Sequence, residues 1–262
     1  MRPQSTVKIR IKDKIVGGPR PLICLPLMAD DQALLLEQAK AIPTLRPDLI
    51  EWRVDALKSL SDMDAVRETL SALYARSRAL PLLFTCRAPQ EGGLQAMGPA
   101  LRRQLYQLAI TSGQVDLIDI ELSSGADMIQ ELRSMCRSAG VKLVLSYHNF
   151  DHTPDSETLL QKLLEAEQTG ANIAKIAVMP NDCHDVLTLL NVTCAARSKH
   201  LKIPLIAIAM GIDGIITRIA GGLFGSDITF ASGTTATAPG QLPIDDLRKA
   251  WSVLPWQSEP SN

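Results

Sequence analysis

The sequence predicts a closed (β/α)8 barrel of the TIM type, preceded by a small β-hairpin. Three observations carry that prediction. After residue 21, short apolar runs alternate with helix-period segments eight times in succession. The runs are apolar throughout rather than alternating, as expected of parallel strands covered by helices on the outside. The chain has 262 residues and 46% hydrophobic content, which suits one α/β domain of about 250 residues. An open doubly wound sheet is the alternative, but no strand is followed by GxGxxG or a P-loop. With no linker, low-complexity tract or repeat, a single domain is expected over 1–262, with the hairpin at 6–17 and the barrel at 21–254.

The hairpin follows from alternation. Val7, Ile9 and Ile11 share one face, Lys8, Arg10 and Lys12 the other, and Asp13-Lys14 makes the turn before Gly17-Gly18-Pro19 ends the unit. It is placed to close one end of a larger fold. The first barrel strand spans 21–28; Asp30 or Asp31 caps a helix to about 42, with Leu34, Leu35, Leu36 and Ala39 facing inward. A strand at 48–55 and a helix at 61–76 follow, then a strand at 80–87, a longer loop at 88–98 and a helix to about 112. The fourth strand, 116–122, leads to a helix ending near 138, and the fifth covers 142–148. Thr153 as N-cap and Pro154 as first helical residue open the next helix, which Gly170 stops. The sixth strand spans 172–179, with a helix to about 199; the seventh spans 204–210, with a short helix at 215–220. The eighth spans 227–231, and a helix at 243–253 ends the fold.

Composition excludes several functions. A formal net charge of -1 gives no support to nucleic-acid or anionic-membrane partners. The five cysteines (Cys24, Cys86, Cys136, Cys183, Cys194) are odd in number and scattered, as in reduced thiols of a reducing compartment. Cys183-His184 lacks a second pair at metal-ligand spacing, so no metal is expected. No stretch resembles a signal peptide or a membrane span, and the expected location is the cytoplasm.

The polar residues that interrupt apolar strands point to the site, because barrel active sites lie at the strands' C-terminal ends. Lys175 stands in the middle of Ile173-Ala174-Lys175-Ile176-Ala177, where a lysine is rarely buried without a partner or a task. A free amine there can attack a carbonyl to form an imine; the bland reading is a lysine that reaches past the core to water. Glu51 and Arg53 are two residues apart on one strand face, with Asp55 following, which makes either a structural ion network or a ligand site. Arg87 ends the third strand ahead of Glu91-Gly92-Gly93, glycines that suit a mobile or ligand-hugging loop. His148 ends the strand next to that of Lys175, within reach of an imine; His152, His184 and His200 are read as structural. Arg218, after the glycine-containing stretch Met210 to Gly214, is a candidate anchor for an anion. The small, polar stretch 233–241 has the composition of a lid, or, taken alone, of a simple surface loop. Three arginines, carboxylates, a histidine and a buried lysine suit a small keto acid, and so a lysine-dependent lyase or aldolase.

At these residues the chain resembles the type I 3-dehydroquinate dehydratases of the shikimate pathway. The resemblance rests on an ordered set: Glu-Trp-Arg-Val-Asp at 51–55, Thr-Cys-Arg with Glu-Gly-Gly over 85–93, Ser-Tyr-His at 146–148, Lys-Ile-Ala at 175–177, Met210-Gly211 with Gly214 and Arg218, and Ala-Pro-Gly-Gln at 238–241. It implies a hydro-lyase in which Lys175 forms a Schiff base with the ring ketone and His148 moves the protons, supported by Glu91. It further implies that Arg218 holds the substrate carboxylate, and that Glu51, Arg53 and Arg87 hold ring hydroxyls and the local charge. Thr237 and Gln241 would close over the substrate. It implies no cofactor, and a homodimer. Two positions depart from the family pattern: Pro26 where a serine is usual on the first strand, and Thr237 where the lid usually carries serine. A class I aldolase and a barrel that binds a metabolite without turnover are the competing readings.

Overall fold

A computed structural model describes residues 2–233 and 236–256. Two short strands, β1 (Ile9–Ile11) and β2 (Lys14–Val16), pair antiparallel as the expected hairpin. Eight strands then pair in parallel: β3 (Leu22–Leu27), β4 (Leu49–Arg53), β5 (Leu82–Thr85), β6 (Leu117–Glu121), β7 (Lys142–Asn149), β8 (Ile173–Val178), β9 (Leu205–Ala209) and β10 (Ile228–Phe230). From β3 to β9 each strand pairs with the next in chain order, and β10 returns to pair with β3. The helices between them are α1 (Gln32–Ala39), α2 (Ile42–Leu45), α3 (Met63–Ser77), α4 (Pro99–Thr111), α5 (Ala126–Ala139), α6 (Ser156–Thr169), α7 (Cys183–Ala195), α8 (Ile215–Phe224) and, after β10, α9 (Ile244–Trp251). The fold is the expected (β/α)8 barrel.

The ladder is interrupted between β9 and β10, where the Asp227 amide donates to the Leu205 carbonyl at 2.7 Å. Asp227 carries that junction. Its carboxylate accepts from the Leu205 amide at 2.9 Å and pairs with Arg197 at 2.6 Å and with Arg2, while its carbonyl accepts from the Leu22 amide. Two strand ends and the N-terminal segment are thus fastened to one buried residue, through its carboxylate and its backbone carbonyl.

The alternation of side chains divides the interior into two zones. Leu22, Leu49, Leu83, Leu117, Val144, Ile173, Ile206 and Ile228 form an apolar floor, and Ile9, Ile11 and Val16 of the hairpin pack against it. The hairpin therefore plugs the end of the barrel away from the strands' C-termini. Lys12, at its tip, donates to the carbonyls of Arg78 and Leu80, where α3 ends. The second zone lies two residues further along each strand, where Glu51, Thr85, Asp119, Ser146 and Lys175 make one side polar while Cys24, Ile208 and Phe230 keep the other apolar.

Outside the barrel, Trp52 meets Phe84 edge-to-face at 5.5 Å, and Phe84 meets Tyr106 at 5.9 Å. All three are fully buried between sheet and helices. Phe84→Ala removes the centre of this stack and is expected to cost about 3–5 kcal/mol, measured by urea denaturation.

Two local expectations are corrected. Helix α6 is capped by Asp155, whose carboxylate accepts from the Thr158 amide at 2.8 Å, rather than by Thr153 and Pro154. The Thr153 hydroxyl is engaged elsewhere: it donates to the Met179 carbonyl and ties the loop to the end of β8. In α1, Leu35 and Ala39 are buried but Leu34 is exposed, because the helix is only eight residues long and presents a narrow inner face. No helix among the described residues is long and apolar enough to cross a membrane.

Candidate active site

The polar zone opens into a cavity at the C-terminal mouth of the barrel, lined by charged side chains from several strands. Glu51, Arg53, Arg87, Glu91, His148, Lys175, Arg218, Thr237 and Gln241 all line it, so the structure brings every site residue expected from the sequence into one place. Thr234 and Thr235 of the expected lid lie outside the described residues.

Lys175 is at the centre. Strand alternation turns it into the barrel, and it is buried. Its Nζ donates to Asp119 Oδ2 at 2.7 Å and stands 4.7 Å from the centre of the Phe230 ring. Asp119 is also held by Arg87 Nη2 at 2.8 Å and by the Ser146 hydroxyl at 2.6 Å. Burial alone would raise the pKa of this carboxyl, but Arg87 and Lys175 outweigh it, so it lies well below the usual carboxylate range. Arg87 donates further to Glu121 and to Ser146, and Glu121 is paired on its other oxygen with Arg102 from α4. Much of the hydrogen-bonding capacity of Arg87 is thus spent inside the protein, fixing the charge pattern of the floor.

His148, on β7, is set by Glu91. One Glu91 oxygen accepts from the His148 backbone amide at 2.8 Å and lies 3.1 Å from Nδ1; the other accepts from Ser123. A proton held on Nδ1 by that carboxylate leaves the lone pair on Nε2. Burial, with Arg87 and Lys175 nearby, pushes the imidazole well below its ordinary pKa, so the ring is neutral at pH 7. Burial raises the pKa of Glu91.

The Glu91 turn needs its two glycines for close approach. Gly92 has φ +87°, and a Cβ there would lie 2.3 Å from the Phe150 ring; one at Gly93 would lie 2.0 Å from the Arg87 carbonyl oxygen. Arg53 fastens the same turn. It pairs through two hydrogen bonds of 2.8 Å with Asp55 and donates to the Gly92 carbonyl, leaving Nη1 to reach a ligand. Glu51 accepts from Thr85 at 2.7 Å and lies opposite Pro26 in the strand register.

Arg218 stands apart in its chemistry. It is buried, yet its recorded partners are two carbonyls, Phe230 at 3.3 Å and Pro239 at 2.9 Å, and Nε has none. Burial lowers its pKa to about 10. A buried guanidinium with no carboxylate is suited to take an anion from outside. Thr237 and Gln241 bond to each other, Thr237 N donating to Gln241 Oε1 at 2.7 Å, and so shape the rim.

The family model for type I 3-dehydroquinase matches residues 23–255. The chain belongs to the type I 3-dehydroquinase family. It is 44% identical to a 3-dehydroquinate dehydratase of Geobacillus kaustophilus, over 95% of this chain and 97% of that one. A relative of the same name in Aromatoleum aromaticum is 40% identical over 95% and 96%. The crystal structure of the Geobacillus kaustophilus enzyme superposes with a TM-score of 0.93 at 43% identity, covering 97% and 98% of the two chains. A Clostridium difficile type I enzyme, crystallised with covalent modified comenic acid, superposes with a TM-score of 0.91 at 33% identity, covering 94% and 97%. The activity is that of a hydro-lyase of the shikimate pathway, converting 3-dehydroquinate to 3-dehydroshikimate.

Sequence reasoning missed Asp119 and Glu121 as site residues. The signal was present: two carboxylates spaced by two in Leu117-Ile118-Asp119-Ile120-Glu121 face one side of an otherwise apolar strand, as Glu51 and Arg53 do. Phe230 carried no such signal, since an aromatic residue in an apolar strand is ordinary core.

Proposed function

We propose that this dehydratase works through an imine between Lys175 and the ring ketone of 3-dehydroquinate. The observation that carries the proposal is a buried lysine beneath a cavity that also holds a neutral histidine and an unneutralised arginine. Arg218 takes the substrate carboxylate, which sets the ring with its ketone toward Nζ. Nζ adds to the carbonyl carbon, and the carbonyl oxygen leaves as water, giving a protonated imine. That cation withdraws electrons from the adjacent carbon. Nε2 of His148 removes its proton, and the neutral enamine that forms expels the β-hydroxyl, which leaves as water with the proton His148 gained. Hydrolysis of the conjugated imine releases the enone and restores the lysine.

Glu91 keeps the Nδ1 proton in place, so His148 presents the correct nitrogen. Arg53, Glu51 and Arg87 position the ring hydroxyls and set the local charge, and Thr237 and Gln241 close the rim. No step calls for a cofactor. Mixing the purified protein with 3-dehydroquinate should raise the ultraviolet absorbance of the conjugated enone; a flat trace with folded protein would rule the proposal out.

Arg218→Ala is expected to lower kcat/KM about 100-fold, most of it through KM, because the lost interaction is with a part of the substrate that does not react. Urea denaturation should show little loss of stability, since the change removes an unneutralised buried charge. A large loss of stability with KM unchanged would make Arg218 a structural residue.

We also infer a homodimer acting in the cytoplasm and folding as one domain, with no nucleic-acid or membrane partner. Leu187 on α7 and Ile216 on α8 are exposed on neighbouring helices, which supports a subunit contact there. Light scattering on the purified protein tests the dimer.

A further inference from the structure

The nitrogen of Lys175 keeps the same charge on both sides of imine formation. An ammonium and a ketone give a protonated imine and water: three N–H hydrogens become one on nitrogen and two on the departing oxygen, and the single positive charge is conserved. A group that neutralises the ammonium at rest therefore also faces the protonated imine, provided that it stays where it is.

We propose that Asp119 is a catalytic residue, the fixed counter-ion of the reacting nitrogen throughout the cycle. This rests on the imine reading above. Asp119 Oδ2 lies 2.7 Å from Nζ, and it is the carboxylate partner of Lys175 among the described residues. The one N–H left on a protonated imine is enough to keep that bond. Asp119 is fully buried on β6, and its place does not depend on the lysine, because Arg87, just after β5, and Ser146, on β7, hold it. The Phe230 ring lies over Nζ as well, so a carboxylate and an aromatic face both favour a cation at this point.

In this role Asp119 does not accept the proton that the ammonium must lose before attack, since two cations and a hydroxyl hold it ionised. It raises the proton affinity of the imine. The protonated, electron-withdrawing form then persists to higher pH.

The other charged groups around the nitrogen are Glu51 and Arg53 on β4, Arg87 after β5, Glu91 in the turn that follows, Glu121 on β6 and His148 on β7. Asp55 holds Arg53, and Asp119 and Glu121 hold Arg87, above the ordinary arginine range despite burial, while burial pushes His148 well below its ordinary value. The Cys24 thiol on β3 is pushed well up by burial, and Arg218, lowered by burial to about 10, titrates above pH 9.

The test is the pH profile of kcat from 6 to 9, together with borohydride trapping of the adduct, for the wild type and Asp119→Asn. The expected result is an alkaline limb displaced downward by at least one pH unit. Trapped adduct on Lys175 should be near the wild-type level at pH 6.5 and at least five-fold lower at pH 8.5. Asp119→Glu, which keeps the charge, should restore the limb even where kcat is reduced by the longer side chain. Asp119→Ser, smaller and neutral, should show the same displacement and serves if the asparagine variant does not fold. A uniform fall in kcat with an unmoved limb, and trapping that does not vary with pH, would make Asp119 structural and overturn the assignment. Wild-type protein that turns over without any adduct on Lys175 would instead overturn the imine reading itself.

Discussion

Lys175→Ala should lose turnover by at least about 10⁴-fold, because the variant has no covalent route to acidify the carbon next to the ketone. Little else should change. Asp119 keeps Arg87 and Ser146 as partners, so no buried carboxylate is left unpaired, and the barrel should remain folded by circular dichroism. The substrate carboxylate still finds Arg218, so 3-dehydroquinate should bind by calorimetry within about ten-fold of the wild-type affinity. A variant that retained a tenth of the activity would show that the lysine is only a structural partner of Asp119.

His148→Ala should lower kcat by about 10²–10⁴-fold, the range that general acid–base catalysis supplies. Unlike the lysine variant, it retains the amine, so borohydride should still trap substrate on Lys175 while product formation stalls. The wild-type pH profile carries the same information. Burial and two neighbouring cations depress the imidazole pKa, so the basic form is complete at neutral pH and is lost only as pH falls through the depressed value. The acid limb of kcat/KM is therefore expected well below about 6.5, the ordinary histidine value. A limb at or above that value would mean that His148 is not the base.

The barrel was legible because its strands are apolar on both faces and its helices recur at regular spacing. Lys175 was legible for the same reason: one charged residue inside Ile173-Ala174-Lys175-Ile176-Ala177 breaks a pattern that is otherwise uniform. Glu51 and Arg53 followed from two-residue alternation, and the same reasoning reaches Asp119 and Glu121 once their strand is read face by face. Arg102 was beyond that reasoning. On α4 it looks like a surface arginine, and only the packing of the helix against β6 carries its guanidinium to Glu121. The cap of α6 was misplaced because Thr153 and Asp155 both have cap chemistry. The choice was made by the Met179 carbonyl at the end of another strand, which takes the Thr153 hydroxyl. The hairpin was predicted as a hairpin, but its place against the apolar floor depends on contacts with most of the barrel strands, which no local pattern contains.

The imine is tested most directly by borohydride reduction in the presence of 3-dehydroquinate, followed by peptide mass spectrometry. The mechanism predicts a reduced adduct on Lys175 that disappears in Lys175→Ala and persists in His148→Ala. Active enzyme with an adduct on another lysine, or with none, would contradict it.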